Sequence, residues 1–184
     1  MDDAKDIDIE LIENTGLFQK IQAQKTLFIN LFSEISNHIP QSLLLHIHYN
    51  AKGNKVSQGA NLKNCPYQVL DIIRDFDQNT GHNIRILNWW GHGLYIIHQY
   101  GKLNLQENWN SIKVKYMNHY VGLSQDPYNY GEILNSETKL EVLDLELHSH
   151  EFRQLILFDK IPYTRSIEEQ KEILLKKIKF ILDK

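Results

Sequence analysis

With 184 residues, 42% of them hydrophobic and 23% charged, the chain has the size and composition of one globular domain that buries its own core. Twenty Lys and Arg against 23 Asp and Glu give a formal charge of −3, which argues against a nucleic-acid partner because nothing draws the molecule as a whole to phosphate. The single cysteine, Cys65, excludes an intramolecular disulfide and any cysteine-built metal cluster.

The chain opens on Met1-Asp2-Asp3-Ala4-Lys5-Asp6, an acidic run without the basic-then-apolar order of a signal peptide. No apolar stretch approaches the ~18 residues that span a bilayer. A cytoplasmic, soluble protein without a membrane partner is the expectation. Residues 1–13 are expected to fray at their start, with Ile7, Ile9, Leu11 and Ile12 available to dock. Behind Asn14-Thr15-Gly16, the positions Leu17, Phe18, Ile21, Phe28, Leu31, Phe32 and Ile35 recur at helical spacing and predict an amphipathic helix over 16–38. Pro40 ends it, having no amide donor and restricting its predecessor. Leu43-Leu44-Leu45-His46-Ile47-His48-Tyr49 then reads as a strand with His46 and His48 on one face. A turn over 50–55 and a polar connection over 56–64 follow.

The segment 66–76 fits a short helix through Tyr67, Leu70, Ile73 and Phe76, and a strand through its Val and Ile content; both readings stay open. After a loop at 77–81, two apolar runs flank Gly91-His92-Gly93 and predict antiparallel strands over 84–90 and 94–100, near the middle of a sheet. Residues 109–120 fit either element, and 124–131 form a loop by their Pro, Gly and Asn content. Leu143, Leu145 and Leu147, opposite Asp144 and Glu146, predict a half-solvated strand over 140–147. Residues 152–158 are core of undetermined type. Ser166 with Glu169 forms a capping box, ahead of a helix whose stripe is Ile167, Leu174, Ile178 and Ile181. The lysines at 171, 176, 177, 179 and 184 belong to its solvated face. The sum is a single α+β domain over 1–184, with a mostly antiparallel sheet and amphipathic helices at both termini.

Lys55-Val56-Ser57-Gln58-Gly59-Ala60-Asn61, then Pro66-Tyr67-Gln68-Val69-Leu70-Asp71-Ile72-Ile73-Arg74-Asp75-Phe76, then Asn88-Trp89-Trp90-Gly91 resembles a family of uncharacterised bacterial proteins. That family carries K-x-S-x-G-x-N, P-Y-x-V-L-D-x-x-R-x-F and W-W-G in the same order. The resemblance covers about residues 55–101 and implies one structural unit there. It brings no activity with it.

Nine histidines raise a metal hypothesis. His46 and His48 on one strand face, completed by His148 or His150, have the donor types and spacing for Zn²⁺ or a similar divalent ion, and would make the chain a metal-dependent hydrolase. The competing view is a polar sheet face and a strand end, and it is favoured because His-x-His recurs by accident. Cys65 reads as a small buried hydrophobe. Asp71 and Arg74 form either an acid and anion clamp in a pocket or a structural ion pair, the latter favoured. Trp89 and Trp90 must leave a strand on opposite sides, so one is core. If a ligand pocket exists, it borders 66–100 and includes Asp71, Arg74, Trp90 and His92, with Asn88 beside Trp90. Since no catalytic motif stands, the leading expectation is a cytoplasmic domain that binds a small ligand or a protein partner and needs no cofactor.

Overall fold

A computed structural model describes residues 6–183; the expectation for residues 1–5 lies outside them. The short helix α1 (Ile9–Ile12) leaves Ile7, Ile9, Leu11 and Ile12 exposed, so this apolar segment does not dock on the body of the domain. Next come α2 (Thr15–Asn37), α3 (Gln41–Ile47), β1 (Lys55–Leu62), β2 (Cys65–Arg74), β3 (His82–Trp89), β4 (Gly93–Gly101), α4 (Lys102–Tyr116), β5 (Tyr120–Val121), α5 (Tyr130–Ile133), a 3-10 turn (Leu140–Val142), α6 (Leu145–Glu151), β6 (Gln154–Ile161) and α7 (Ile167–Leu182). The strands form one sheet in the order β1-β2-β3-β4-β6-β5, every pairing antiparallel. The protein is an α+β domain with helices toward both ends.

The tryptophan hairpin forms as its sequence predicts. His82 pairs with Tyr100 at one end and Trp89 with Gly93 at the other, which puts β3 and β4 third and fourth of six strands. Gly91 closes the turn at φ 77°, a left-handed conformation that costs a residue with a Cβ and costs glycine almost nothing. Alternation along these strands sets two faces. Leu70, Ile84, Ile86, Leu94, Ile96 and Leu157 pack under α2, α4 and α7 through Phe32, Ile35, Leu105, Ile112, Leu174 and Ile178. Val69, Leu87, Trp89, Tyr95, Ile97, Ile156 and Phe158 form a smaller core on the other face, capped by Tyr130 and Ile133 of α5.

Several expectations are corrected. The segment expected as a strand over 43–49 is α3: Leu44 is buried, Ile47 is half-buried and Leu43 and Leu45 face outward. That is helical spacing, hidden because a seven-residue apolar run fits both periods. Pro40, expected only to end a helix, also begins the next, its carbonyl accepting from the Leu43 and Leu44 amides. The polar connection expected over 56–64 contains most of β1. It is polar because it is an edge strand, where exposed polar residues deter pairing with other chains. Gly59 is required there: a Cβ would fall 2.4 Å from the ring of Tyr67, its cross-strand partner. Residues 140–147, expected as a strand, form a 3-10 turn and the start of α6, whose N-cap Asp144 accepts from the Leu147 amide. The two open segments resolve as β2 and, through residue 116, as α4.

Candidate functional site

On the helix-covered face, the sheet changes chemistry from end to end. At the Trp90 end, Gln68 and Asn88 are buried, and Gln68 Oε1 accepts from Asn88 Nδ2 at 2.7 Å and Trp90 Nε1 at 2.9 Å. The middle is aliphatic. The far end, where β4 runs into α4, gathers imidazoles and phenols. The cross-strand partners His82 and Tyr100 stack at 4.5 Å between centroids. His98, two residues earlier on the same face of β4, lies 4.8 Å from the Tyr116 ring and 5.9 Å from that of His119. Behind His82, at 6.0 Å, is His48, whose Nε2 meets Asp75 Oδ2 at 2.7 Å.

Burial decides the charge state of this cluster. His82 is 7% exposed and His98 fully enclosed. Taking an imidazolium out of water is so unfavourable that both rings stay neutral. Burial, with His48 adding repulsion, takes His82 down to about 3. Burial, with His119 next, takes His98 well below the ordinary histidine range. The same desolvation lifts Tyr100 well above the phenol range and Tyr116 to about 12. Asp75 goes the other way: burial would raise it, but bonds from His48, the Asp77 amide and Asn50 hold it below the usual carboxylate value.

A cavity of about 370 Å³ opens against this cluster, between β4, α4 and the end of α7. His82, Tyr100 and Tyr116 supply its aromatic wall, Ile47, Ile112 and Ile181 its apolar wall, and Asn104, Asn108 and Ser111 its polar rim. Lys115 also reaches the rim, where its ammonium caps α7 by donating to the carbonyls of Ile181 and Asp183. Among the described residues, His82 Nε2 and both nitrogens of His98 have no hydrogen-bond partner. A buried polar atom left unpaired costs about 1–3 kcal/mol, and of these two residues only His82 belongs to the cavity lining. A neutral imidazole can both donate and accept, and His82 stands here beside apolar walls.

The residues singled out in the sequence sit in separate environments. Asp71 forms a cross-strand pair with Arg85 on the opposite sheet face, accepting from Nε at 2.7 Å and from Nη2 at 3.1 Å. Arg85 also donates to the Tyr130 hydroxyl, and although burial opposes its charge, Asp71 and Tyr130 raise its pKa. Arg74, the expected partner of Asp71, instead donates to the carbonyls of Gly53 and Lys52 and fastens the loop before β1. Trp90 is half-buried in a shallow cleft with Asn88, Phe28 and Tyr163, as the alternation of Trp89 and Trp90 requires. His92 is exposed and stacks on Trp89 at 3.6 Å.

The histidines of the metal hypothesis also part. On a helix rather than a strand, His46 points to solvent, while His48 follows the last turn and closes on Asp75. His148 is buried on α6 against Phe152, and His150 is exposed. Among the described residues, no three His, Cys, Asp or Glu side chains are placed to hold one ion.

His82, Tyr100 and Tyr116 lie outside the pocket residues expected from the sequence. The available signal was that His82, His98 and Tyr100 fall on one face of the predicted hairpin once its register is fixed. The contribution of α4 had no such signal. Fold and cavity together define a helix-covered antiparallel sheet with an aromatic-walled cavity at one end. Comparison with protein-family models, curated proteins and solved structures returned no match.

Proposed function

We propose that the protein is a cytoplasmic small-molecule-binding domain whose cavity takes a compact, uncharged, ring-bearing ligand. The apolar body of the ligand lies against Ile47, Ile112 and Ile181, and its polar edge meets His82. The observation that supports this most directly is His82 itself, a buried neutral imidazole in the cavity wall with an unpaired nitrogen. A cavity of about 370 Å³ is within the range of small-ligand sites, and an apolar wall with a few polar groups is their usual composition. Neutral imidazoles disfavour ions, and the two charged side chains of the lining, Lys115 and Asp183, have opposite signs, so a bound ion meets no net countercharge. The single cysteine is in keeping with a reducing compartment, and among the described residues no helix is long and apolar enough to cross a membrane.

Titration with benzamide and phenol, followed through the His82 ring nitrogens by NMR, tests this reading. Saturable shifts at His82 and Tyr100, lost in His82→Leu and kept in Asn88→Ala at the far end of the sheet, are expected. Unmoved His82 resonances, or equal affinity in His82→Leu, would overturn it.

A further inference from the structure

The opposite face of the sheet carries a second cavity at the same end. Gln99 and Gln154 follow the alternation of Ile97 and Ile156, so their amides lie on the α5 side, away from His82. The cavity has a volume of about 260 Å³ and is lined by Gln78, Ser124, Gln125, Pro127, Arg153, Gln154 and Ile156. It adjoins an outer one of about 420 Å³ that shares Gln78, Gln125 and Arg153 and adds Lys102 and His150.

Each polar group of the inner cavity can be followed to its bonds. Ser124 Oγ accepts from the Asp126 amide at 3.2 Å and donates its one proton to Glu132 Oε2 at 2.7 Å, with the Asp126 carbonyl 3.0 Å away. Gln125 Nε2 donates to the Glu151 carbonyl. Gln78 Oε1 accepts from Arg153 Nη1 at 3.4 Å. Gln154 Oε1 accepts from Gln99 Nε2. What remains includes two donors: the rest of the Arg153 guanidinium, which forms no ion pair among the described residues, and Gln154 Nε2, which has no partner in a residue only 8% exposed. Arg153 is the only ionised side chain in this lining. Glu151 belongs to the outer cavity, whose lining also carries Lys102.

We propose that this cavity binds the oxyanion group of a small molecule, a carboxylate or a phosphate, with Arg153 forking two oxygens and the Gln154 amide donating to one of them. Among the described residues Arg153 lacks a countercharge and Gln154 Nε2 lacks an acceptor, and an oxyanion supplies both. A planar guanidinium suits bidentate recognition of either group. The buried amide gives the site what surface cations lack, a fixed donor at its inner end. Arg153 begins the approach to β6 and Gln154 is its first residue, so strand pairing with Gly101 holds the amide in place.

Sodium phosphate and sodium acetate, each titrated at constant ionic strength against sodium chloride, test the proposal. Saturable movement of the Gln154 side-chain amide resonances is expected with phosphate, acetate or both, and not with chloride; the stronger of the two names the oxyanion. Arg153→Gln, at an exposed position, should weaken binding at least tenfold, and Arg153→Lys should restore part of it. Gln154→Met, similar in length but without the amide donor, should weaken binding, with its urea midpoint read alongside to separate loss of the donor from loss of the fold. Amide resonances that do not move, that move equally with chloride, or that respond unchanged in Arg153→Gln would overturn the site.

Discussion

His98 is costly to bury: it is fully enclosed, both ring nitrogens lack partners among the described residues, and it faces aromatic neighbours that leave it neutral. Replacing it by an apolar side chain of similar volume removes that desolvation, so His98→Leu should raise stability by about 1–2 kcal/mol at pH 7.5 in urea denaturation. The gain should widen in acid. Free histidine takes up a proton near pH 6.5, whereas His82 waits until about 3 and His98 lies well below the ordinary value. Between those limits the unfolded chain binds protons that the folded chain refuses. Stability present above pH 6.5 is therefore lost as pH falls, by up to ~1.4 kcal/mol per pH unit for each such ring. A parent urea midpoint equal at pH 7.5 and 5.0 would contradict this. The Asp71–Arg85 pair has the opposite logic. Asp71→Asn leaves a largely buried guanidinium without its countercharge and should cost about 3–5 kcal/mol, while Asp71→Leu with Arg85→Met should cost much less, since both charges leave together.

Elements differ in how visibly the sequence declares them. α7 announces itself: Ser166 Oγ accepts from the Glu169 amide, and Leu174, Ile178 and Ile181 line its buried stripe. Ser166→Ala should cost about 1 kcal/mol in thermal or urea unfolding. α2 and the β3–β4 hairpin were equally legible, because each is long enough to express one period. α3 was not, and its loss as a strand removed the shared face of His46 and His48. β1 lost its signal for the reverse reason: an edge strand needs few apolar residues, and Ser57, Gln58 and Asn61 read as a loop. The bulge between Asp71 and Ile73 turned Ile72 and Ile73 both into the main core, which blurred the alternation of β2. The sites suffered most. The four pocket candidates, Asp71, Arg74, Trp90 and His92, follow from paired charges, an aromatic and an imidazole close together in sequence, whereas the His82 cavity is assembled from α3, β3, β4, α4 and α7, which only tertiary contacts bring together.

At the scale of the molecule, sheet order predicts how stability is distributed. β3 and β4 are paired on both sides along their lengths and lie between two apolar layers, so their amides open only when most of the domain unfolds. β1 is paired on one side, with a burial pattern that is half-buried at best. β5 has two residues, and α6 presents one buried residue, His148. Native-state hydrogen exchange should therefore rank Ile84, Ile86, Ile96 and Ile97 slowest, near the global unfolding free energy, with the outward amides of β1 and the amides of α6 exchanging orders of magnitude faster. The two cavities flank the slow hairpin but draw walls from faster elements: Asn108 and Ser111 from α4 on one face, Gln125 and Pro127 from the loop after β5 on the other. Ligands that bind the folded state should slow exchange in those walls and leave the hairpin's rank unchanged. Exchange in α6 as slow as in β4, or a hairpin that opens before β1, would show that the sheet's centre does not hold the domain together.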